Sequence, residues 1–234
     1  MNNKLIYQFS STKTEGDRSM VDLLGGKGAN LAEMSSLGIN VPPGFTITSE
    51  VCNYFIENKS FPDKFDKELE TALTNLEKLT KKKFNDDKTP LLLSVRSGGK
   101  VSMPGMMDSI LNIGINDKNV DALASNFNDE RFALDSYRRL IQMYGNIVLE
   151  IEMDRFEAII DNKKRIDGVE NDNDFDSEQL SWIIDAFKTT VERFGGNPFP
   201  QDPIIQLKLS IEAVLKSWLN KRAVTYRKIN NIPN

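Results

Sequence analysis

The sequence predicts an α+β fold in which a small mixed sheet with helices is followed by a helical section. In the first half, short apolar runs such as Leu91–Val95 and Ser109–Ile113 are bounded by turn residues and are too short for buried helices. After Asp117 the apolar residues recur at helical spacing instead. The spacing therefore predicts strands together with helices up to about residue 115, and helices alone beyond it.

Residues 1–9 alternate apolar and polar side chains and predict the first strand. A second strand is expected within Val41–Thr48, and Ser49 is expected to cap the helix that follows it. The remaining predicted helices of the first half are 29–37, with an apolar face of Ala29, Leu31, Ala32, Met34 and Leu37, and 62–84.

The second half predicts five further helices, at 117–127, 129–151, 156–164, 177–194 and 204–218. The longest of them should bury one face, formed by Phe132, Tyr137, Leu140, Ile141, Tyr144 and Val148. The acidic run 171–174 lacks the glycine and terminal glutamate of a calcium loop, so we interpret it as a solvated loop.

Composition excludes several classes of function. The net charge of −4 and the isoelectric point near 5.1 argue against general nucleic-acid binding, which requires a basic face. No segment approaches the roughly 20 apolar residues of a membrane span, and the N-terminus does not have the pattern of a cleaved signal. The sequence contains no histidine and one cysteine. It therefore lacks histidine-based catalysis and an internal disulfide, and we expect a cytoplasmic protein.

The segment 91–108 combines a strand with a loop rich in small residues. Alternation along the strand places Arg96 at its end, beside the loop. Glycines in this loop permit positive φ angles and close approach of a ligand, and its hydroxyls and backbone N–H groups are suited to phosphate oxygens. These residues are Ser97, Gly98, Gly99, Ser102 and Gly105. The alternative interpretation is a mobile surface hairpin with an exposed arginine.

A second anion-binding candidate is Gly25-Gly26-Lys27, which is expected near the start of a helix. Backbone donors and the helix dipole favour phosphate there, and Lys27 adds a full positive charge. The segment is not a Walker A loop, because Gly28 stands where that motif has Ser or Thr. A tight strand-to-helix turn without a ligand is the alternative.

Arg138 and Arg139 are neighbours on the predicted helix 129–151. Adjacent helical residues point about 100° apart, so at most one of the two can face a shared cleft. Surface arginines packed along their stems are the alternative for both.

Four segments taken together resemble the N-terminal region of the pyruvate, phosphate dikinase family. They are Leu23–Met34, Val41–Thr48, Ser94–Asp108 and Asp135–Met143, in the family's order, and the likeness continues to Asn234 through Ser217–Arg227. The resemblance implies an ATP-grasp nucleotide-binding domain, incomplete in this chain. It also implies a phosphotransferase that converts ATP, phosphate and pyruvate to AMP, pyrophosphate and phosphoenolpyruvate through a phosphohistidine on another domain.

The resemblance also implies roles for individual residues. Lys27 and Arg96 match the ATP-phosphate contacts, and the loop from Gly98 to Met107 lies over the polyphosphate. Arg139 is expected to face the phosphates or the incoming histidine domain, and Arg222 to belong to the docking surface. No catalytic residue is expected in this chain, and the ligands of the Mg²⁺ that accompanies ATP are expected beyond residue 234.

Further expectations concern organisation and partners. We expect an α/β part at 1–115, a helical part at 116–201 and the start of a second ATP-grasp part at 202–234. The expected partners are ATP and the swivelling phosphohistidine and pyruvate-binding domains of the same protein, which the resemblance implies to be a homodimer without nucleic-acid or membrane partners. This chain alone is expected to bind ATP weakly and to turn nothing over.

Some residues depart from the family pattern, and other functions stay open. Gly99-Lys100 stands where Ala-Arg is common in the family, and Leu219 replaces a residue that is usually polar. A related dikinase of the phosphoenolpyruvate synthase type is one alternative. A stand-alone nucleotide-binding module is the other.

Overall fold

A computed structural model describes residues 4–232 of the chain. Its contacts divide the chain into two compact units that are not continuous in sequence. The first comprises the described parts of 1–81, 96–108 and 214–234, and the second comprises 82–95 and 109–213. The sequential division at 115 and 201 concerns the family's subdomains and stays a prediction.

The observed elements are α+β, as predicted. The strands are β1 (Ile6–Phe9), β2 (Gly44–Ile47), β3 (Leu93–Arg96) and β4 (Ser109–Ile113). The helices are α1 (Val21–Ser36), α2 (Ser49–Asn58), α3 (Phe65–Thr80), α4 (Val120–Phe127), α5 (Glu130–Ile147), α6 (Met153–Asp167), α7 (Ser177–Gly195), α8 (Pro203–Lys216) and α9 (Lys221–Ile229). Of the predicted first strand, residues 1–3 lie outside the described residues.

The prediction of one small mixed sheet is wrong, because the described strands form two separate pairs. Strand β1 pairs antiparallel with β2, and β3 pairs with β4. Two carboxylates accept hydrogen bonds from main-chain N–H groups in and just before β1. Glu68 accepts from the N–H groups of Leu5 and Ile6 at 2.8 and 3.1 Å. Glu15 accepts from the Gln8 N–H at 2.9 Å and returns its own N–H to the Gln8 carbonyl at 2.7 Å. A strand whose donors are already satisfied offers no edge for a third strand.

In the first unit, α1 and α3 pack against the β1–β2 pair, and α2 packs against α1. Its core consists largely of aliphatic and phenylalanine side chains from these elements: Leu5, Ile6, Phe9, Leu24, Ala29, Ala32, Val51, Phe55, Phe65, Leu69, Leu73 and Leu76. Met34 and Leu37, which we expected on the apolar face of α1, are exposed: Met34 lies in the last turn of the helix and Leu37 is its C-cap residue. Ser49 is not the cap of α2: its hydroxyl donates to the Asp22 carbonyl, and Thr48 is the N-cap residue.

The second unit is organised around α5. Its buried face includes Tyr137, Leu140, Ile141 and Tyr144, as predicted. Phe132 was predicted to be buried but is 44% exposed. It lies in the first turn of α5, and the centre of its ring is 5.1 Å from the centre of the Phe127 ring.

The strand predicted at Leu91–Val95 is observed as β3, and it is only partly buried. Leu93 and Val95 are half-buried while Ser94 and Arg96 are exposed, so the predicted alternation is confirmed. The apolar run had indicated a buried strand, and this is wrong for the face that carries Ser94 and Arg96. A strand paired on one side in a two-stranded sheet keeps one face in solvent.

The acidic run at 171–174 is held by basic side chains. Arg131 donates to the carbonyl oxygens of Asp172, Asn173 and Phe175, and Lys164 forms an ion pair with Asp172 at 2.6 Å. Burial acts to raise the pKa of Asp172, but the hydrogen bond and charge of Lys164 lower it on balance. The loop is therefore tied to the helices beside it by main-chain contacts, with no metal needed to explain its conformation.

Glu15 should make the stability of the chain depend on acid pH. Burial acts to raise the pKa of Glu15, but hydrogen bonds from Lys4, the Gln8 N–H and Lys13 lower it overall from the usual 4.5. A lowered folded-state pKa contributes stability above about pH 4.5 that is lost as the pH falls through the folded value. We expect Glu15→Gln to cost about 1 kcal/mol at pH 7 and progressively less towards pH 3, measured by urea unfolding.

The control for this prediction is Glu57→Gln, a substitution of an exposed carboxylate on α2. It should change the free energy of unfolding little at any pH. A cost of Glu15→Gln that stays the same from pH 7 to pH 3 would contradict the prediction.

None of the helices in residues 4–232 is long and apolar enough to cross a membrane.

Candidate functional site

Helix α1 is interrupted at Gly25. This residue has φ 68° and ψ 167°, which are not helical, so the helical backbone resumes at Gly26. Only glycine adopts such angles at low cost. Gly26 and Lys27 therefore stand at the beginning of the main segment of α1, as the sequence predicts. The dipole of this segment and its first N–H groups favour an anion at that end.

The loop after β3 lies directly against this turn. The Gly26 N–H donates to the Gly99 carbonyl at 3.1 Å. A Cβ atom placed on Gly25 would lie 1.4 Å from the carbonyl oxygen of Gly98, so the two backbones approach as closely as glycine allows. The two glycine-rich segments, 70 or more residues apart in sequence, therefore form one surface within the first unit.

Lys27 is joined to the start of the same loop. Its Nζ donates to the Ser97 carbonyl at 2.8 Å, which leaves two ammonium protons for another acceptor. Arg96 immediately precedes Ser97 and is exposed, and its guanidinium has no hydrogen bond or ion pair within residues 4–232. The structure thus brings the Lys27 ammonium to the residue after Arg96, at the end of β3.

Other contacts hold the loop along its length. Lys100 forms an ion pair with Asp22 of α1. The indole of Trp218 lies beside Gly99, 3.3 Å from where a Cβ would stand, and the Arg227 guanidinium lies 4.1 Å from the centre of the Trp218 ring. The middle of the loop is therefore packed against the C-terminal part of the first unit.

The end of the loop is held by Asp108. Its carboxylate accepts from Asn220 at 3.1 Å and from Arg222 at 2.9 Å. Arg222 is thus ion-paired to the loop, and its docking role stays a prediction. Sequence reasoning did not identify Asp108 or Asn220, because no local pattern links residues 112 or 114 positions apart.

The remaining predicted loop residues lie further along the same segment. Gly105 has φ 71°, whereas Gly98 and Gly99 do not have positive φ and contribute close approach instead. Ser102 is exposed, and within residues 4–232 its hydroxyl has no hydrogen-bond partner. Met107 is partly buried. Within the described part of the chain, no hydrogen bond joins Lys27 or Arg96 to any of the last three loop residues, which are Ser102, Gly105 and Met107.

Arg139 lies on α5 in the second unit, and its neighbour Arg138 points elsewhere. Arg138 is 3% exposed and Arg139 is 51% exposed at the side chain, so the expectation that the two diverge is confirmed. The alternative of two surface arginines is wrong for Arg138, which is buried against the carboxylate of Asp135. Asp135 contacts both arginines and was not identified from the sequence.

A comparison with protein families decides what this arrangement belongs to. The model described as pyruvate phosphate dikinase, AMP/ATP-binding domain, matches residues 21–82 and 58–234. The chain belongs to this family. The matched segments contain both glycine-rich elements, Lys27 and Arg96, and also Arg138 and Arg139 of α5.

Curated relatives agree with this assignment to the dikinase family. A pyruvate, phosphate dikinase of Rickettsia conorii is 51% identical over 230 residues, which is 98% of this chain and 26% of the relative. One from Clostridium symbiosum is 47% identical over 232 residues. Pyruvate, phosphate dikinase 1, chloroplastic, of rice is 45% identical over 230 residues and is covered to 24%. The chain spans about a quarter of the length of these relatives.

Proposed function

We propose that this chain binds ATP by its polyphosphate at the surface formed by the Gly25–Lys27 turn and the loop 96–107. The observation that carries the proposal is the contact of the Lys27 ammonium with the Ser97 carbonyl, next to the exposed guanidinium of Arg96. Two full positive charges, a helix start and glycine backbone suit a group with several phosphate oxygens.

The chemistry suits phosphoryl transfer without a covalent residue in this domain. The transition state of such a transfer spreads negative charge over the phosphoryl oxygens, and cations already held in place stabilise it. Lys27 is fixed by its carbonyl contact, and the loop is fixed at Asp22, Trp218 and Asp108. The residues we assign to phosphate binding are Lys27, Arg96, Gly98, Gly99, Ser102, Gly105 and Met107, with Arg139 as a further phosphate or domain-docking residue.

For the whole protein we propose the family's reaction, in which ATP, phosphate and pyruvate give AMP, pyrophosphate and phosphoenolpyruvate. The chain contains no histidine, so the phosphorylated histidine would belong to a separate swivelling domain and this chain alone would not turn over. An ATP-grasp fold, a pyruvate-binding domain, a homodimer and a cytoplasmic location are further parts of this proposal. The names of the relatives, pyruvate, phosphate dikinase, support the reaction.

The Mg²⁺ that accompanies ATP is a further part of the proposal. No three His, Cys, Asp or Glu side chains of residues 4–232 come together where they could hold a metal ion. Mg²⁺ bound with a nucleotide usually keeps several waters and takes one or two carboxylates besides the phosphates. We propose that those carboxylates come from outside the described residues.

Removing either cation should weaken ATP binding. We expect Lys27→Met and Arg96→Gln each to raise the dissociation constant of Mg·ATP about tenfold, because each deletes a charge-assisted contact worth roughly 1.4 kcal/mol. Amide NMR titration of the chain measures this even when binding is weak. It should also show the largest shifts at Gly26, Lys27, Gly98 and Gly99.

The matched control is Lys78→Met, which removes an exposed lysine of α3 in the same unit. It should leave the dissociation constant unchanged. Unaltered affinity in both site variants, or shifts confined to other segments, would refute the assigned surface. Micromolar affinity of the chain alone would refute the expectation that it binds ATP weakly.

A further inference from the structure

The carboxylate of Asp135 is shared between two arginines of its own helix. One oxygen, Oδ1, accepts from Nε and Nη2 of Arg138 at 2.9 and 2.8 Å. The other, Oδ2, accepts from Nε of Arg139 at 2.7 Å. Asp135 thus stands three and four residues before its partners, the spacing at which side chains meet on a helix.

Asp135 holds Arg139 through its Nε atom and not through the fork formed by Nη1 and Nη2. A guanidinium has five N–H donors, and the contact with Asp135 uses the one on Nε. Within the described chain, Nη1 and Nη2 of Arg139 have no hydrogen-bond partner, and the side chain is about half exposed. These two nitrogens are the pair that binds two oxygens of a phosphate side by side.

Asp135 is itself held in place. The buried guanidinium of Arg138 binds it from one side, while Arg138 Nη1 donates to Gln142 at 3.0 Å and Nη2 lies 3.9 Å from Asp172. Asp135 is 13% exposed. The position of the Asp135 carboxylate is therefore fixed by the buried Arg138 guanidinium of the same helix. A helix holds a side chain more rigidly than a loop does.

We propose that Asp135 is a positioning residue that holds the fork of Arg139 ready for the oxygens of a phosphoryl group. The inference rests on the proposed function and extends it to a residue that does not touch the ligand. The ligand class is a phosphate bearing at least two free oxygens, supplied by ATP or by free inorganic phosphate. Arg139 is the contact, and Asp135 acts through it.

A double-mutant cycle tests this relation. The variants are Asp135→Asn, Arg139→Lys and the two combined, and the probes are Mg·ATP and inorganic phosphate, titrated separately by NMR. We expect Arg139→Lys to weaken binding of at least one probe about tenfold, because lysine keeps the charge but lacks the fork. Asp135→Asn should weaken the same probe severalfold, and the double variant should bind no more weakly than Arg139→Lys. The probe that is affected identifies the source of the phosphate.

A spectroscopic readout separates positioning from a general loss of structure. The Nε–H signal of Arg139 should be protected from exchange in the unaltered chain, absent in Arg139→Lys, and unprotected in Asp135→Asn. Losses that add in the double variant would overturn the inference, and so would an Asp135→Asn variant with an unchanged Nε–H signal.

The design keeps the inference separate from the proposed function. If Asp135→Asn does not fold, the Nε–H signal of Arg139 in the unaltered chain decides, since rapid exchange there would mean that Asp135 does not hold the guanidinium and would overturn the inference. Equal affinity of Arg139→Lys and the unaltered chain for both probes overturns the inference and leaves the ATP site standing. An unaltered chain that does not bind Mg·ATP refutes the proposed function instead.

Discussion

Gly25→Ala should separate the two halves of the candidate phosphate site and strongly weaken ATP binding. A Cβ on Gly25 would lie 1.4 Å from the Gly98 carbonyl oxygen, well inside van der Waals contact, and the residue has φ 68°. The backbone of one segment must therefore move by more than an ångström. We expect a loss of about 3 kcal/mol in the free energy of unfolding and about a hundredfold loss in Mg·ATP affinity. Urea unfolding and NMR titration of the variant measure the two effects.

Gly38→Ala is the matched control for this experiment. Gly38 also has a positive φ, 76°, so alanine is strained there too, but nothing lies within 4 Å of its Cβ position. This variant should lose only about 1 kcal/mol and keep its affinity for ATP. The comparison shows how far the effect of Gly25→Ala exceeds that of a positive φ alone. Equal losses of stability, with ATP binding retained in both, would show that the contact of Gly25 with Gly98 is unimportant.

The parts of the fold that the sequence predicted correctly are those with local causes. Helix α7 was expected at 177–194 and is observed at Ser177–Gly195, with Asp176 as its cap and a positive φ at Gly196 ending it. The glycines at 25 and 26 were expected near the start of a helix, and the main segment of α1 begins at Gly26. In each case the determining groups lie within a few residues of the feature that they produce.

The parts that could not be predicted depend on partners distant in sequence. The two carboxylates on β1 come from Glu15 and Glu68, and neither stands in a strand-like pattern. The burial of Arg138 depends on Asp135 and Asp172, so the residue type alone suggested the surface. The same holds for the candidate site. Each glycine-rich loop could be identified from its own sequence, whereas the contact of Asp108 with Arg222 could not.

The second unit should depend strongly on one buried amide, Gln206. This residue is fully buried on α8, and its side chain satisfies three main-chain groups. Oε1 accepts from the Gly114 N–H at 2.9 Å, and Nε2 donates to the carbonyls of Ile115 and Pro200 at 3.0 and 2.8 Å. These groups lie just after β4 and just before α8. Because they lie outside the strand and the helix, these main-chain groups have no partner in regular secondary structure, and the amide of Gln206 supplies one.

Gln206→Met should therefore cost about 4 kcal/mol, although it keeps the length of the side chain. It leaves one N–H and two carbonyls without their partner, and each buried unpaired group costs roughly 1 to 3 kcal/mol. Urea unfolding measures the total, and hydrogen exchange of the Gly114 amide measures the local effect. Ile205→Ala, at a 48% exposed position of the same helix, should change the stability by less than about 0.5 kcal/mol. A Gln206→Met variant as stable as Ile205→Ala would mean that water replaces the amide at all three groups.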